Sequence, residues 1–174
     1  MRAALLLAAS GRPSFVMPAQ AGMTRSADSY AGERAMKAAN YPGGSRPGPS
    51  EELPGPQPGP GEVLAKVARC GIGGTDLSFT RGTMWDFGTN TQFGHEYAGE
   101  IIEVGKDVTE FRVGERIAVL PSVACGQCPS CRTLENNVLC QAMPGTATVG
   151  FAELPKVPTS VATRLPAALS MADG

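Results

Sequence analysis

Four of the five cysteines in this 174-residue chain fall within sixteen residues. Cys125, Cys128 and Cys131 are separated by two residues each, and Cys140 follows after eight more. Short spacers of this kind let three sulfurs converge on one point from a tight loop. Four thiolates in a tetrahedral array are the ligands that structural zinc prefers, at a Zn–S distance of about 2.3 Å. The cluster therefore predicts a structural zinc site, because four protein ligands leave no open position for water or substrate.

Clustered cysteines can also hold an iron–sulfur centre or form disulfides. In the bacterial ferredoxin run, the third cysteine is followed by three residues and then by Cys-Pro. Here Cys140 is followed by Gln141, and Pro129 lies inside the run. Disulfides require an oxidising compartment, and five is an odd number of cysteines. Zinc is therefore favoured over an iron–sulfur cluster, and both are favoured over disulfides.

The overall composition limits the class of protein. The chain is 42% hydrophobic and has a net charge of −1, so it can bury a core and offers no electrostatic case for binding nucleic acid. Its 22 glycines and 15 prolines favour turn-rich β structure over long helices. No apolar run approaches the ~20 residues that a membrane-spanning helix needs.

Residues 1–35 have no clear period of 2 or 3.6, and we interpret them as a disordered or wrongly assigned extension that precedes a domain over residues 36–174. The start Met1-Arg2, its Ala/Leu run and Ala19-Gln20-Ala21 resemble a signal peptide. The apolar run is short, however, and a cluster of reduced thiols favours the cytoplasm. We therefore expect a cytoplasmic protein.

The elements that must position the cysteines are predicted to be short strands. Glu62–Val67 alternates Val63, Ala65 and Val67 with Glu62, Leu64 and Lys66, as a strand does. Tyr97–Val104 predicts a second strand that ends at Gly105, and Ile117–Leu120 predicts a third. Short strands separated by glycine turns indicate a small β-barrel.

The flanks of these strands are less regular. From residue 41 to residue 61, thirteen of twenty-one positions are Gly or Pro, which excludes a helix or a central strand there. A short edge strand is predicted at Lys37–Tyr41, and later short strands at Phe151–Leu154 and around Val157.

Several segments together resemble the zinc-containing medium-chain alcohol and polyol dehydrogenases. In chain order they are Gly71-Ile72-Gly73-Gly74-Thr75-Asp76, Gly94-His95-Glu96-Tyr97-Ala98-Gly99, Val104-Gly105, Val113-Gly114-Glu115-Arg116 and the cysteine cluster. The similarity covers roughly residues 36–174. It implies an N-terminal GroES-like catalytic domain, mainly β with short helices, whose β-barrel carries a zinc-binding loop lobe. In that lobe the zinc would bind Cys125, Cys128, Cys131 and Cys140.

The resemblance also implies a catalytic zinc site, which is degenerate here. The family's first ligand is the cysteine after Gly-Ile, and this chain has Gly73 there. His95 matches the imidazole ligand and Glu96 the acidic residue beside it, while Asp76 is expected to accept a hydrogen bond from the other imidazole nitrogen. Cys70 is expected to point to the opposite face of a strand. Because a catalytic zinc normally has three protein ligands and a water, we expect tight zinc binding only in the cysteine lobe.

Two hydroxyl groups extend the resemblance. Thr75 matches the residue that hydrogen-bonds the substrate alcohol and begins its proton relay, and Ser78 stands where many relatives have a relay histidine. In the family, zinc lowers the pKa of the alcohol, and a hydride passes to NAD(P) on a separate domain. No Gly-x-Gly-x-x-Gly occurs in the chain, and no helix is expected behind Gly71–Gly74. NAD(P) binding is therefore expected only in a full-length relative.

We accordingly predict the N-terminal catalytic domain of a zinc-dependent alcohol or polyol dehydrogenase-like oxidoreductase, truncated and inactive alone. The expected substrate of the full-length enzyme is a small alcohol or polyol, and the expected partner is a second copy of the chain rather than nucleic acid or a membrane. Two alternatives remain. A stand-alone structural-zinc binding module would not need the Gly94-His95-Glu96 segment, and an iron–sulfur protein would absorb visible light.

Overall fold

The computed structural model describes residues 34–41, 50–83, 91–133, 139–142, 145–146 and 149–174. The extension predicted over residues 1–35 lies outside these ranges except for Arg34 and Ala35. The strands are β1 (Ala35–Tyr41), β2 (Ser50–Pro54), β3 (Glu62–Cys70), β4 (Thr91–Gln92), β5 (Tyr97–Val104), β6 (Arg116–Val119), β7 (Ser122–Val123), β8 (Gly145–Thr146), β9 (Lys156–Pro158) and β10 (Ala162–Arg164). The helices are α1 (Gly74–Thr80) and α2 (Pro129–Thr133), with a 3₁₀ turn at Thr159–Val161.

The largest sheet has five antiparallel strands in the order β10-β6-β5-β3-β9. Its longest pairing joins β3 to β5, from Val63 opposite Val104 to Cys70 opposite Tyr97, and two register shifts interrupt it. Bulges of this kind bend a strand and increase its twist, so the sheet curls into a half-barrel. The three strands predicted here are confirmed, with β6 beginning and ending one residue earlier than expected.

A smaller sheet has the order β2-β1-β4. The prediction that β1 is an edge strand is wrong, because β1 pairs with β2 on one side and with β4 on the other. The Gly/Pro-rich stretch contributes β2 as an edge strand. Residues 50–53 interrupt the run of prolines and glycines, so their N–H groups remain able to pair.

The core has two parts, and β3 contributes to both. Val63 and Ala65 belong to the main cluster, whose other fully buried members include Ile101, Ile117 and Val157. Leu64 points the other way and packs with Met36, Ala38, Ala152 and Leu154. The alternation predicted for β3 placed Leu64 on the polar face, and this was wrong because β1 and the segment 151–154 cover that face.

The segment 151–154 lies between β1 and β3 but forms only an isolated bridge, Ala38 opposite Ala152. Backbone hydrogen bonds run from Ala39 N–H to the Phe151 carbonyl (2.8 Å) and from Val67 N–H to the Glu153 carbonyl (3.0 Å). The predicted strand Phe151–Leu154 is therefore not regular, whereas β9 contains the predicted Val157. The mainly β fold with short helices is confirmed, and no helix within the described residues is long and apolar enough to span a bilayer.

Candidate metal centres

The cysteine lobe is built from one continuous part of the chain. Cys125 and Cys128 lie in the loop that joins β7 to α2, Cys131 lies in α2, and Cys140 follows further along. Gly126 has a φ of +67°, a left-handed conformation that glycine adopts without strain, and it turns the loop between the first two cysteines. All four sulfurs lie within 4.8 Å of one another.

The spacing of the sulfurs fits a single ion. In a tetrahedron with Zn–S distances of about 2.3 Å, neighbouring sulfurs are about 3.8 Å apart. The sulfurs of Cys128 and Cys131 are 3.5 Å apart, too far for a disulfide bond, whose S–S distance is about 2.05 Å. The N–H groups of Gln127 and Cys128 point at the Cys125 sulfur (3.4 and 3.3 Å), and Cys125 N–H points at the Cys140 sulfur (3.3 Å). These donors stabilise negative charge on sulfur, as outer hydrogen bonds do at metal sites.

The cysteines of the lobe differ in how readily they ionise. Backbone N–H groups, first that of Gln141 and then that of Cys131, lower the pKa of Cys128. Burial raises the pKa of Cys131 to about 12, and the hydrogen bond with Cys128 adds to this. Because a metal binds thiolates, its binding would release the protons that these sulfurs still carry. The donor set, its spacing and its N–H groups therefore fit zinc.

The second group of residues is assembled from two distant segments. Gly94 has a φ of +90°, and a side chain there would meet the Phe151 backbone and ring at 2.7–2.8 Å. The rings of Phe93 and Phe151 pack edge to face, with their centroids 4.8 Å apart. On the other side, Gly71 N–H donates to the Glu96 carbonyl (2.7 Å). These contacts hold His95 and Glu96 immediately before β5, facing the loop between β3 and α1.

The His95 imidazole lies between two carboxylates. Its Nδ1 is 3.4 Å from Asp76 Oδ1, and its Nε2 is 3.6 Å from Glu96 Oε1. The Asp76 side chain is 3% exposed, that of His95 13% and that of Glu96 59%. Asp76 Oδ2 accepts the Gly73 N–H (2.8 Å) at the start of α1, while Oδ1 has no hydrogen-bond partner within the described residues. Asp76 therefore lies close to the nitrogen from which it was predicted to accept a hydrogen bond, but the two groups are not aligned for one.

Gly73 lies where the resemblance requires a ligand, and Glu96 takes up the space. A Cβ at Gly73 would be 3.1 Å from Glu96 Oε1 and 3.6 Å from Asp76 Oδ2, and a Cβ at Gly71 would be 3.1 Å from Glu96 Oε2. The two glycines thus form a cradle for the Glu96 carboxylate. Within the described residues, three or more metal-binding side chains bring their donor atoms together only in the cysteine lobe. The residues around His95 do not fit a three-ligand zinc site.

Cys70 does not complete this group, although the reason differs from the one predicted. The strand β3 ends at Cys70 and a loop follows, so strand alternation does not set the direction of position 73. A Cβ at Gly150 would be 2.8 Å from the Cys70 sulfur and 2.6 Å from the Tyr97 ring, so this sulfur is packed against both residues. Burial, with smaller effects from Asp76 and Glu96, raises the pKa of Cys70 to about 11.

Thr75 and Ser78 lie three residues apart in α1, and both are half-buried. Neither hydroxyl hydrogen-bonds to His95 or Glu96 within the described part of the chain, so their proposed roles stay predictions. The expectation that no helix follows Gly71–Gly74 is wrong, because α1 begins at Gly74. Sequence reasoning also missed the cradle. Its signal was the pair of glycines two positions apart, which leaves one side of the loop free of Cβ atoms.

Comparison with known proteins gives a consistent result. Residues 59–167 match the family described as alcohol dehydrogenase GroES-like domain. The sorbitol dehydrogenase of Bacillus subtilis (strain 168) is 44% identical over 91 residues, which are 51% of this chain and 26% of that protein. The chain therefore spans about a quarter of the length of this relative.

Solved structures extend the likeness beyond sequence. A cobalt- and zinc-bound thermostable alcohol dehydrogenase from Pyrobaculum aerophilum superposes with a TM-score of 0.67 at 30% identity, over 77% of this chain and 42% of that one. An acetophenone reductase from Geotrichum candidum NBRC 4597, in complex with NAD, gives a TM-score of 0.68 at 26% identity, over 79% and 42% of the two chains.

Proposed function

The chain belongs to the alcohol dehydrogenase GroES-like domain family, and from this premise we propose that its residues form the substrate-side, metal-binding part of a zinc-dependent alcohol or polyol dehydrogenase-like oxidoreductase. The observation that supports this is the coexistence of two features in one fold. The cysteine lobe offers four converging sulfurs, and His95, Glu96 and Asp76 are gathered from two distant segments at one end of the curled sheet.

In this proposal, Cys125, Cys128, Cys131 and Cys140 hold a structural zinc that ties the lobe together. Thr75 and Ser78 face the substrate and move its proton. A small alcohol or polyol is the substrate class, since a sorbitol dehydrogenase and an alcohol dehydrogenase are among the relatives. A nicotinamide cofactor, when bound, accepts the hydride.

The 174 residues alone should not oxidise alcohols. They contain no Gly-x-Gly-x-x-Gly fingerprint for a dinucleotide, and His95 and Glu96 offer two donors where a catalytic zinc normally has three protein ligands. Activity therefore requires a cofactor-binding domain and a third metal ligand.

An exchange of segments tests the proposal. Residues 59–167 replace the matching segment of the Bacillus subtilis sorbitol dehydrogenase, once with Gly73 and once with Gly73→Cys. We expect the Gly73→Cys exchange to oxidise sorbitol with a nicotinamide cofactor and the Gly73 exchange to remain at background. A folded Gly73→Cys exchange that carries two zinc ions but shows no turnover would contradict the proposal, as would alcohol oxidation by the 174-residue chain alone.

One observation favours a second candidate, a structural-zinc module without dehydrogenase activity. The lobe has a complete set of ligands, whereas the His95 group does not. The same exchange distinguishes the two, because a module of this kind would stay inactive after Gly73→Cys.

A further inference from the structure

We propose that Cys128 and Cys131 are a site of reversible oxidation, where a small-molecule disulfide such as oxidised glutathione converts the two thiolates into an intramolecular disulfide. The inference rests on the proposed function only in that the cysteine lobe holds zinc. It goes beyond that function by assigning the lobe a covalent chemistry and by naming which two of its four cysteines carry it.

The two cysteines lie on the first turn of α2. Arg132 N–H donates to the Cys128 carbonyl (3.0 Å), so Cys128 is the residue that caps the helix. Pro129 occupies the first helical position, where its fixed φ suits the start of a helix. Cys131 is then the third helical residue, and the side chains of the capping and third residues approach each other at a helix start. The start of α2 therefore brings the two side chains together.

The distance between the two sulfurs allows a bond after a small rotation of each side chain. The sulfurs are 3.5 Å apart, and a disulfide needs about 2.05 Å. The Cys131 N–H hydrogen-bonds to the Cys128 sulfur, which keeps that sulfur over the turn that carries Cys131. Both residues are half-buried, and their neighbours Gln127, Pro129 and Arg132 are exposed. A dissolved disulfide can therefore reach the pair.

The other two lobe cysteines are held differently. The Cys125 sulfur accepts the N–H groups of Gln127 and Cys128 (3.4 and 3.3 Å), and a bond to another sulfur would pull it away from these donors. Cys140 is 7% exposed, which shields its sulfur from a dissolved oxidant. The geometry of the lobe therefore favours the pair on the first turn of α2.

The reaction is a thiol–disulfide exchange in two steps. The Cys128 thiolate attacks one sulfur of the small disulfide, forms a mixed disulfide with it and releases one small thiolate. The Cys131 thiolate then attacks the Cys128 sulfur and releases the second small thiolate. The two protein sulfurs lose two electrons in total, and the two small thiolates that receive them take up protons from water.

This oxidation removes two of the four thiolates of the lobe. Only Cys125 and Cys140 remain as ligands, and a structural zinc site needs four. Oxidation is therefore expected to release the metal, and reduction of the disulfide by an excess of thiol should restore all four ligands.

The test treats the zinc-loaded 174-residue chain with oxidised glutathione in the presence of a chromophoric zinc chelator. We expect about one zinc per chain to be released, in step with an intact-mass loss of two hydrogens, and peptide mapping to place the new disulfide between Cys128 and Cys131. Excess dithiothreitol should restore the reduced mass and zinc binding. The zinc content before oxidation tests the lobe assignment in the proposed function, and the mapped disulfide tests the inference, so the two can fail separately.

Serine variants separate the pair from the rest of the lobe. Cys131→Ser removes the second thiolate, so the mixed disulfide with glutathione should accumulate at Cys128. Cys125→Ser keeps the pair and should still form the disulfide, even when its zinc is lost beforehand. Cys70→Ser, outside the lobe, is the matched control and should behave as wild type. A disulfide that maps to another pair of lobe cysteines would overturn the inference, as would a wild-type chain that stays reduced in excess oxidised glutathione.

Discussion

The cysteine lobe and the His95 group offer a metal ion two different kinds of surroundings within one chain. The lobe takes four sulfurs from sixteen consecutive residues, and they already lie within 4.8 Å of one another. The His95 group draws on α1 and on the residues immediately before β5, and it brings together one imidazole nitrogen and one carboxylate oxygen at 3.6 Å. The lobe has a full set of four ligands from one short segment, whereas the His95 group depends on two segments and has glycine at position 73 where a ligand is required.

The difference also shows how the fold tolerates the missing ligand. Gly73 still donates its N–H to Asp76 at the start of α1, so this backbone group has a protein acceptor. The Glu96 carboxylate fills the space above Gly71 and Gly73 and approaches His95. Buried polar groups without partners are costly, and here the imidazole has a carboxylate near each of its two nitrogens.

The largest effect is expected from breaking the complete site. Cys128→Ser should lower the zinc content from about one ion per chain to near zero and reduce the melting temperature strongly. Structural zinc contributes on the order of 10–16 kcal/mol in zinc-finger peptides, and the dependence of a larger domain should be smaller but still severe. Elemental mass spectrometry and thermal unfolding measure both. Cys70→Ser is the matched control outside the lobe, and an equal loss of zinc in that variant would refute the assignment.

The next effect comes from completing the incomplete site. Gly73→Cys should raise the zinc content from about one to about two ions per chain, because a thiolate would join His95 and Glu96 as the third protein ligand. Gly73→Ser adds a side chain of similar size with a weaker donor and should stay near one. If both variants bind the same amount of zinc, the sulfur has no role, and the difference between the two regions does not come from Gly73.

The convergence of the four lobe sulfurs could be predicted from the sequence. The spacing of Cys125, Cys128 and Cys131 restricts the sulfurs to a small volume whatever the rest of the fold does, and Cys140 needs only a short return of the chain. The main strands could be predicted as well, since β3, β5 and β6 combine β-branched residues with terminal glycine turns.

What could not be predicted depends on contacts between distant segments. The burial of Leu64 follows from β1 and residues 151–154 covering the second face of β3, and β1 itself became central because β2 and β4 pair on its two sides. The direction of the loop after Cys70 could be predicted only with the knowledge that α1 begins at Gly74. Predicting the contact of Gly71 and Gly73 with Glu96 would have required the register of β3 against β5, which no local pattern specifies.

A smaller effect tests whether Asp76 holds the loop of the incomplete site. Asp76→Ala should lower the free energy of unfolding by about 1–2 kcal/mol, because Gly73 N–H loses its acceptor at the start of α1. Asp76→Asn keeps an oxygen for this N–H and should lose less. Urea unfolding measures both variants, and equal losses would mean that the carboxylate acts through its charge beside His95 rather than through the cap.

The smallest effect concerns Tyr97, which follows Glu96 and lies beside Cys70. Its side chain is 2% exposed, and its hydroxyl has no hydrogen-bond partner within the described residues. Tyr97→Phe should therefore leave the free energy of unfolding at pH 7 unchanged or raise it by about 1 kcal/mol. Tyr41→Phe is the matched control, since the Tyr41 hydroxyl donates to the Phe79 carbonyl (3.3 Å), and its loss should cost about 0.5–1.5 kcal/mol.

The pH dependence of the same variants sharpens this test. Burial first, and then the nearby Cys70, raises the pKa of Tyr97 above its ordinary value, so its ionisation opposes folding. The unfolded chain releases the phenol proton near pH ~10, and stability should therefore be intact below that pH and fall as the pH rises towards the folded-state pKa. Tyr97→Phe should lose less stability than wild type between pH 9 and pH 11. Cys70, whose pKa is raised from 9.0 to about 11, contributes to the loss that remains. If the alkaline loss is identical with and without the Tyr97 hydroxyl, the group is not buried at this end of β5, and the packing that separates Cys70 from the His95 group is not as described.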